Sequence, residues 1–245
     1  MKWTPSKGQV SAARRAYVRN AETKYFDVGI NVDVTAAGTD WANSEVPCDN
    51  YVNSSGVAAA YTDSCLIPTA NGSGYGQVIG NKYNLKKLRV RGMLQIATQS
   101  DAADVGSPVT ARIMLVRDKQ PNGAQAQGED VMQDLGAFGE NAFSFMRVAD
   151  NVGRFEIIKD KTFILNRNTA FTDGTSTGSV GCNGVKFKFD YMPKDAIKVS
   201  IRSGNATPTI AGTINENIFM LAYANALGAV SAVRVFAASR AYYCE

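Results

Sequence analysis

From Tyr25 to its last residues the chain is a succession of short runs in which apolar and polar residues alternate, and a period of two is the side-chain period of a half-buried strand. Such runs, some simply rich in β-branched and aromatic residues, cover residues 25–34, 85–98, 109–117, 154–165, 185–191, 196–201 and, in two pieces, 218–243. Between them lie segments rich in Gly, Asn, Ser and Thr, and no internal repeat of fixed period is visible. About eight strands in one unit predict an all-β fold, a jelly roll or another two-sheet sandwich. At 245 residues, 45% of them hydrophobic, the chain is long enough to bury a sizeable core without covalent staples.

One stretch breaks the alternation. Residues 217–233 carry no charge and include Ile218-Phe219-Met220-Leu221-Ala222-Tyr223-Ala224, at the lower length limit for a membrane span. Asn225, Gly228 and Ser231 interrupt it, which suits two buried strands with a turn at Asn225-Ala226-Leu227-Gly228, and no membrane segment is expected.

The only helical periodicity precedes the strands. Val10, Ala13, Tyr17 and Ala21 recur at near-helical spacing behind a capping Ser11, with Arg15 and Arg19 on the adjoining face. Residues 1–24 therefore read as a basic, partly helical arm, and 25–245 as the β domain. The formal net charge of +4 hides a strong segregation. Residues 1–24 hold six cations, Lys2, Lys7, Arg14, Arg15, Arg19 and Lys24, against Glu22 alone. Residues 25–81 hold no Lys or Arg and six acids, Asp27, Asp33, Asp40, Glu45, Asp49 and Asp63, which read as solvated loop residues on an outer surface. A basic terminal arm suits a polyanion, since each phosphate it neutralises releases condensed counterions whatever the base sequence. By composition alone it fits an ordinary solvated terminus better, since six cations in 24 residues is modest. Further cations alternate with core residues on the strands: Lys87, Arg89 and Arg91 with Leu88 and Val90, and Lys186 and Lys188 with Phe187 and Phe189. Each of these strands thus has an apolar face and a basic one, which would serve a polyanion or simply solvate the outside of a sandwich.

Much chemistry is excluded. The sequence has no histidine, which removes Ser-His-Asp and Cys-His catalysis, an imidazole base and any His-containing metal site. Cys48, Cys65, Cys182 and Cys244 form no C-x-x-C pair and read as free thiols, because the start of the chain has no apolar signal-peptide core and secretion is not expected. The loop Gly72-Ser73-Gly74-Tyr75-Gly76 lacks the Lys-Ser/Thr of a phosphate loop. Acids without nitrogen or sulfur partners suit a hard cation such as calcium, particularly where acids from several chains converge, although solvated surface loops account for them more simply. No enzyme activity is expected.

The ordered blocks Leu88-Arg89-Val90-Arg91-Gly92, Ala111-Arg112-Ile113-Met114-Leu115-Val116-Arg117-Asp118-Lys119-Gln120-Pro121-Asn122-Gly123, Asn151-Val152-Gly153-Arg154-Phe155-Glu156-Ile157-Ile158-Lys159-Asp160-Lys161 and Asn217-Ile218-Phe219-Met220-Leu221 resemble coat proteins of the satellite tobacco necrosis virus type and the related capsid proteins of small circular single-stranded DNA viruses. Lys24-Tyr25-Phe26-Asp27 resembles the junction between arm and shell in the latter. The resemblance covers roughly residues 10–245. It implies an eight-stranded viral jelly roll of two packed four-stranded antiparallel sheets, assembled with itself as about sixty copies in the smallest icosahedral shell. It also implies a virion protein assembled inside the host cell, whose inward arm packages a single-stranded genome, RNA or DNA, independently of sequence. The candidate phosphate contacts are then Lys2, Lys7, Arg14, Arg15, Arg19 and Lys24, joined by Lys87, Arg89, Arg91, Lys186 and Lys188 because this arm is shorter and less Arg-rich than many in the DNA viruses. Arg117-Asp118-Lys119 and Lys159-Asp160-Lys161 are expected at strand ends, in subunit contacts. No cofactor is required; calcium between subunits is a family feature whose ligands do not align on named residues. A competing reading is a lectin-like jelly roll with Trp41, Tyr51, Tyr61 and Tyr75 as loop aromatics for sugar stacking, which leaves the arm without a role.

Overall fold

The computed structural model describes residues 22–35, 46–48, 50–52, 58–60, 63–96, 109–133, 146–165, 184–225 and 232–245. The helical part of the arm, the turn at 225–228 beyond Asn225, and Cys182 lie outside the described residues. The chain is mostly β. Its strands are β1 (Lys24–Thr35), β2 (Asn50–Val52), β3 (Ala58–Ala60), β4 (Lys82–Ile96), β5 (Val109–Asp118), β6 (Phe155–Leu165), β7 (Val185–Tyr191), β8 (Ile197–Ser200), β9 (Asn217–Asn225) and β10 (Ala232–Cys244). One short helix, α1 (Gly128–Val131), sits between β5 and β6.

The strands form two antiparallel sheets, one ordered β3-β2-β1-β10-β4-β7 with β8 also paired to β4, the other β6-β5-β9. The expected division into two four-stranded sheets is thus seven and three among the described residues. The difference has three sources. The short β2 and β3 extend the edge of β1 at Val28 and Gly29. Strand β8 pairs with Lys82–Leu85 on the edge of β4 that β7 occupies from Leu88 to Leu94, so the two lie end to end. Beyond β9, the amides of Val46 and Leu66 donate to Met220 and Ile218 carbonyls at 2.9 and 2.8 Å, so that edge is covered by chain that forms no strand.

Alternation decides what each strand buries. On β4, Tyr83, Leu85, Leu88, Val90, Leu94 and Ile96 enter the core, while Lys87, Arg89 and Arg91 face outward. The doublet Lys86-Lys87 interrupts the period of two, and there the register with β10 shifts between Tyr242 and Tyr243, the extra residue restoring both apolar sets to the inside. The main core lies between the sheets and includes Phe26, Val28, Leu88, Val90, Ile113, Leu115, Phe187, Phe189, Met220 and Val235. A second cluster covers the far side of the three-stranded sheet, where Met114, Val116, Phe219 and Leu221 pack under Ala126, Val131 and Met132. Strands β5 and β9 are therefore buried on both faces, which explains why they read as unbroken apolar runs. The uncharged stretch 217–233 is β9 and the start of β10, and these neighbours in sequence belong to different sheets. No helix among the described residues is long and apolar enough to cross a membrane.

Cys48, Cys65 and Cys244 are buried and form no disulfide among the described residues. Burial pushes the Cys48 thiol well above its ordinary range and keeps it protonated.

Gly92 on β4 marks a tight crossing. A Cβ there would stand 2.5 Å from the Phe236 carbonyl oxygen and 2.6 Å from the Phe187 ring. Gly92→Ala should destabilise the domain by about 1–3 kcal/mol through overpacking, read as a fall of roughly 2–4 °C in Tm per kcal/mol; an unchanged melting curve would contradict this packing.

Candidate nucleic-acid interface

The outward face of the larger sheet collects the cations that alternation selects. Cross-strand register arranges it in rows running across β1, β10, β4 and β7. The first is Tyr25, Tyr242, Lys87; the second Asp27, Arg240, Arg89, Asp190; the third Gly29, Ala238, Arg91, Lys188; the fourth Asn31, Phe236, Met93, Lys186; the last Asp33, Arg234, Gln95. Seven cations and three carboxylates thus share the face.

In the second row two guanidinium groups, Arg240 and Arg89, stand opposite one another, a repulsive pairing on its own. Each is flanked by an acid. Arg240 donates two hydrogen bonds to Asp27, at 2.6 and 2.7 Å, and Tyr75 adds a third from its hydroxyl at 3.1 Å. Arg89 lies 3.3 Å from Asp190, which also takes Lys188 at 2.7 Å. The last row is built likewise, with Arg234 gripping Asp33 at 2.5 and 2.6 Å. Hydrogen bonding from Arg234 holds the Asp33 carboxyl below its ordinary range, and Lys188 does the same for Asp190. Arg240 is correspondingly raised by its bonds to Asp27. Lys87, Arg91 and Lys186 have no ion-pair partner among the described residues; Lys87 instead sits over the Tyr242 ring, 6.0 Å from its centroid.

All five strand cations expected from the sequence fall on this one face. Of the arm's cations, only Lys24 is described: it opens β1 and pairs with Glu245 at 2.9 Å, away from the face. Lys2, Lys7, Arg14, Arg15 and Arg19 lie outside the described residues. Sequence reasoning missed Arg234 and Arg240, although they alternate with Val233, Val235 and Ala241 as regularly as the cations of β4 do. Two further expectations are corrected. Asp27 and Asp33 are not solvated loop acids but strand residues bound to arginines, and Asp63 accepts the Ile210 amide at 2.6 Å. Lys159-Asp160-Lys161 lies in the middle of β6 instead of at its end, where Asp160 reaches diagonally across to the buried Arg112 on the neighbouring strand β5, bonded at 3.0 and 2.6 Å. Arg117-Asp118 does end β5, where Arg117 chelates Glu216 with two 2.7 Å bonds beside a groove of about 650 Å³ lined also by Tyr191 and Lys194.

No group of three or more acids and cysteines is placed to hold a metal ion among the described residues. Of the loop aromatics, Tyr75 is tied to Asp27, Tyr51 lies on β2, and Trp41 and Tyr61 lie outside the described residues. Set against known proteins, the chain matches no family model and no curated protein.

A carboxyl whose folded pKa lies below its unfolded value stabilises the fold only while ionised. The contribution of Asp33 is therefore complete above about pH 4 and is lost as the pH falls through the lowered folded value. Asp33→Asn should lower the urea midpoint at pH 7, and the gap to the parent protein should close towards pH 2–3; a gap independent of pH would show that Arg234 does not act on the ionised carboxylate.

Proposed function

We propose that this chain is a coat protein of the satellite tobacco necrosis virus and small circular single-stranded DNA virus type, a jelly roll that assembles with itself into a small icosahedral shell around a single-stranded genome. The observation that carries the reading is the strand order. A jelly roll winds so that its first strand pairs with its eighth, the eighth with the third and the third with the sixth, opposite a sheet holding the seventh, fourth and fifth. Strands β1, β10, β4 and β7 follow the first order, and β9, β5 and β6 the second. The backbone bonds from Val46 and Leu66 to the outer edge of β9 support the same reading, since the second strand of such a fold would pair along that edge. Strands β2, β3 and β8 are then additions to a common plan.

Function follows from charge and closure. The rigid sandwich presents its loops to symmetry mates, and heterologous contacts that close around five-fold and three-fold axes give a finite shell of about sixty copies. The arm carries Lys2, Lys7, Arg14, Arg15 and Arg19 inward to the genome, with phosphate contacts that do not depend on base sequence. The basic face of the larger sheet, with Lys87, Arg89, Arg91, Lys186 and Lys188, forms the wall behind the arm. In this reading the chain catalyses nothing, needs no cofactor, and takes calcium between subunits only as an aid to closure.

Electron microscopy of the expressed protein should show uniform icosahedral particles, where a stable monomer at high concentration would refute assembly. Replacing Arg14, Arg15 and Arg19 with Ala should leave particles intact but lower their nucleic-acid content, read from the ratio of absorbance at 260 and 280 nm; unchanged content would remove the arm from packaging.

A further inference from the structure

The outward face of the larger sheet carries aromatic rings as well as cations. Tyr25 and Tyr242, register partners on β1 and β10, meet edge to face at 5.2 Å with an interplanar angle of 81°, and Tyr25 remains 38% exposed. Cations surround them: Arg240 lies 5.5 Å from the Tyr25 centroid and Arg89 5.8 Å from that of Tyr242. Two rows along, roughly 13 Å at strand spacing, Gly29 and Ala238 leave a shallow trough between taller rows, with Arg91 at its end. Arg91 and Lys186 are exposed and have no ion-pair partner among the described residues, unlike Arg234 and Arg240, which Asp33 and Asp27 hold. The face thus offers rings at one end, small residues in the middle and unneutralised cations beyond them. Stacking platforms joined to a cationic track fit a single strand, whose bases are free to leave one another; a duplex keeps its bases stacked and offers such a face only phosphates.

We propose that this face is itself a binding site for unpaired nucleic acid, with bases stacked on Tyr25 and Tyr242 and phosphates of the same strand against Lys87, Arg91 and Lys186. The proposal deepens the reading above, since it rests on the sheet facing a packaged strand. It adds base contacts and a preference for single strands that the arm alone would not confer.

The test uses the full chain, freed of nucleic acid at high salt, and a 20-nucleotide oligothymidine carrying 5-bromodeoxyuridine. Ultraviolet cross-links should map to the peptides containing Tyr25 or Tyr242. Tyr25→Leu with Tyr242→Leu should weaken single-strand binding about tenfold, as expected for losing base stacking, while a duplex of equal length binds as before and the Tyr→Phe pair keeps the parent affinity. Arg91→Gln with Lys186→Gln should flatten the salt dependence for single strands by roughly 1.4 in log–log slope, two ions at about 0.7 each. Cross-links confined to the arm, or equal losses on single strand and duplex, would overturn the proposal. The cross-link on the parent protein and the Phe pair decide the matter even if the Leu pair does not fold. Particles that contain nucleic acid yet give no Tyr25 or Tyr242 cross-link overturn this site alone. A protein that forms no particles yet cross-links at Tyr25 keeps the site and loses the shell.

Discussion

The antiparallel pairing of β1 with β10 is the interaction on which the rest of the molecule depends. It runs through twelve consecutive residue pairs, from Lys24 with Tyr243 to Thr35 with Ala232, and joins the two ends of the described chain. Strand β10 pairs on its other side with β4, so the sheet is closed across its middle by residues more than a hundred positions apart. Pairings of this kind must bear the loop-closure entropy before they are rewarded, which makes them slow to form and cooperative once formed. They also fix which residues face outward together, since a one-residue slip of β10 would turn Arg234 and Arg240 into the core and Val233 and Val235 out of it.

The same pairing resolves the charge pattern. Along the sequence, acids and bases are segregated, with 25–81 free of cations. In space the segregation is undone, because β1 is the only strand of that segment set directly beside β10, and its Asp27 and Asp33 meet Arg240 and Arg234. These pairs are largely exposed, and exposed pairs add only about 0–1 kcal/mol each. Their main effect is on arrangement: Asp27 sets an opposite charge beside Arg240, which register leaves against Arg89, Asp33 does the same for Arg234 beside the neutral Gln95, and both cap the net charge of the face. The three carboxylates leave Lys87, Arg91 and Lys186 as the cations of this face without an ion-pair partner among the described residues.

Period two made the faces of the strands legible, and nothing in it names their partners. The run read at 185–191 is β7 residue for residue, and those at 109–117 and 154–165 miss β5 and β6 by one residue. The short strands Asn50–Val52 and Ala58–Ala60 were invisible because three residues cannot display a period and, in the second, because alanine carries no β preference. The five strand cations that share a face were found because each alternates with a core residue. Arg234 and Arg240 obey the same rule but sit in a run whose apolar character drew the reading towards burial. Asp27 and Asp33 were misjudged because composition over fifty residues was allowed to stand for position, whereas alternation within 25–34 already put both acids on the face of Tyr25.

The limit on free charge bears on how such a face would act. Three cations without an ion-pair partner among the described residues, at about 0.7 released counterions per phosphate on a single strand, would supply a weak electrostatic hold that physiological salt loosens. A face built for strong neutralisation would not spend Asp27, Asp33 and Asp190 on its own arginines. Weak charge combined with ordered rings instead favours contacts that form, slide and re-form along a strand. In a shell the dense charge would come from the arm, which five further cations supply outside the described residues. The two elements then divide the work by their physics. On the proposed reading the arm would gather the polyanion over a Debye length of about 8–10 Å, and the sheet, rigid because its core and cross-strand register hold it, would impose spacing on whatever strand the arm had gathered.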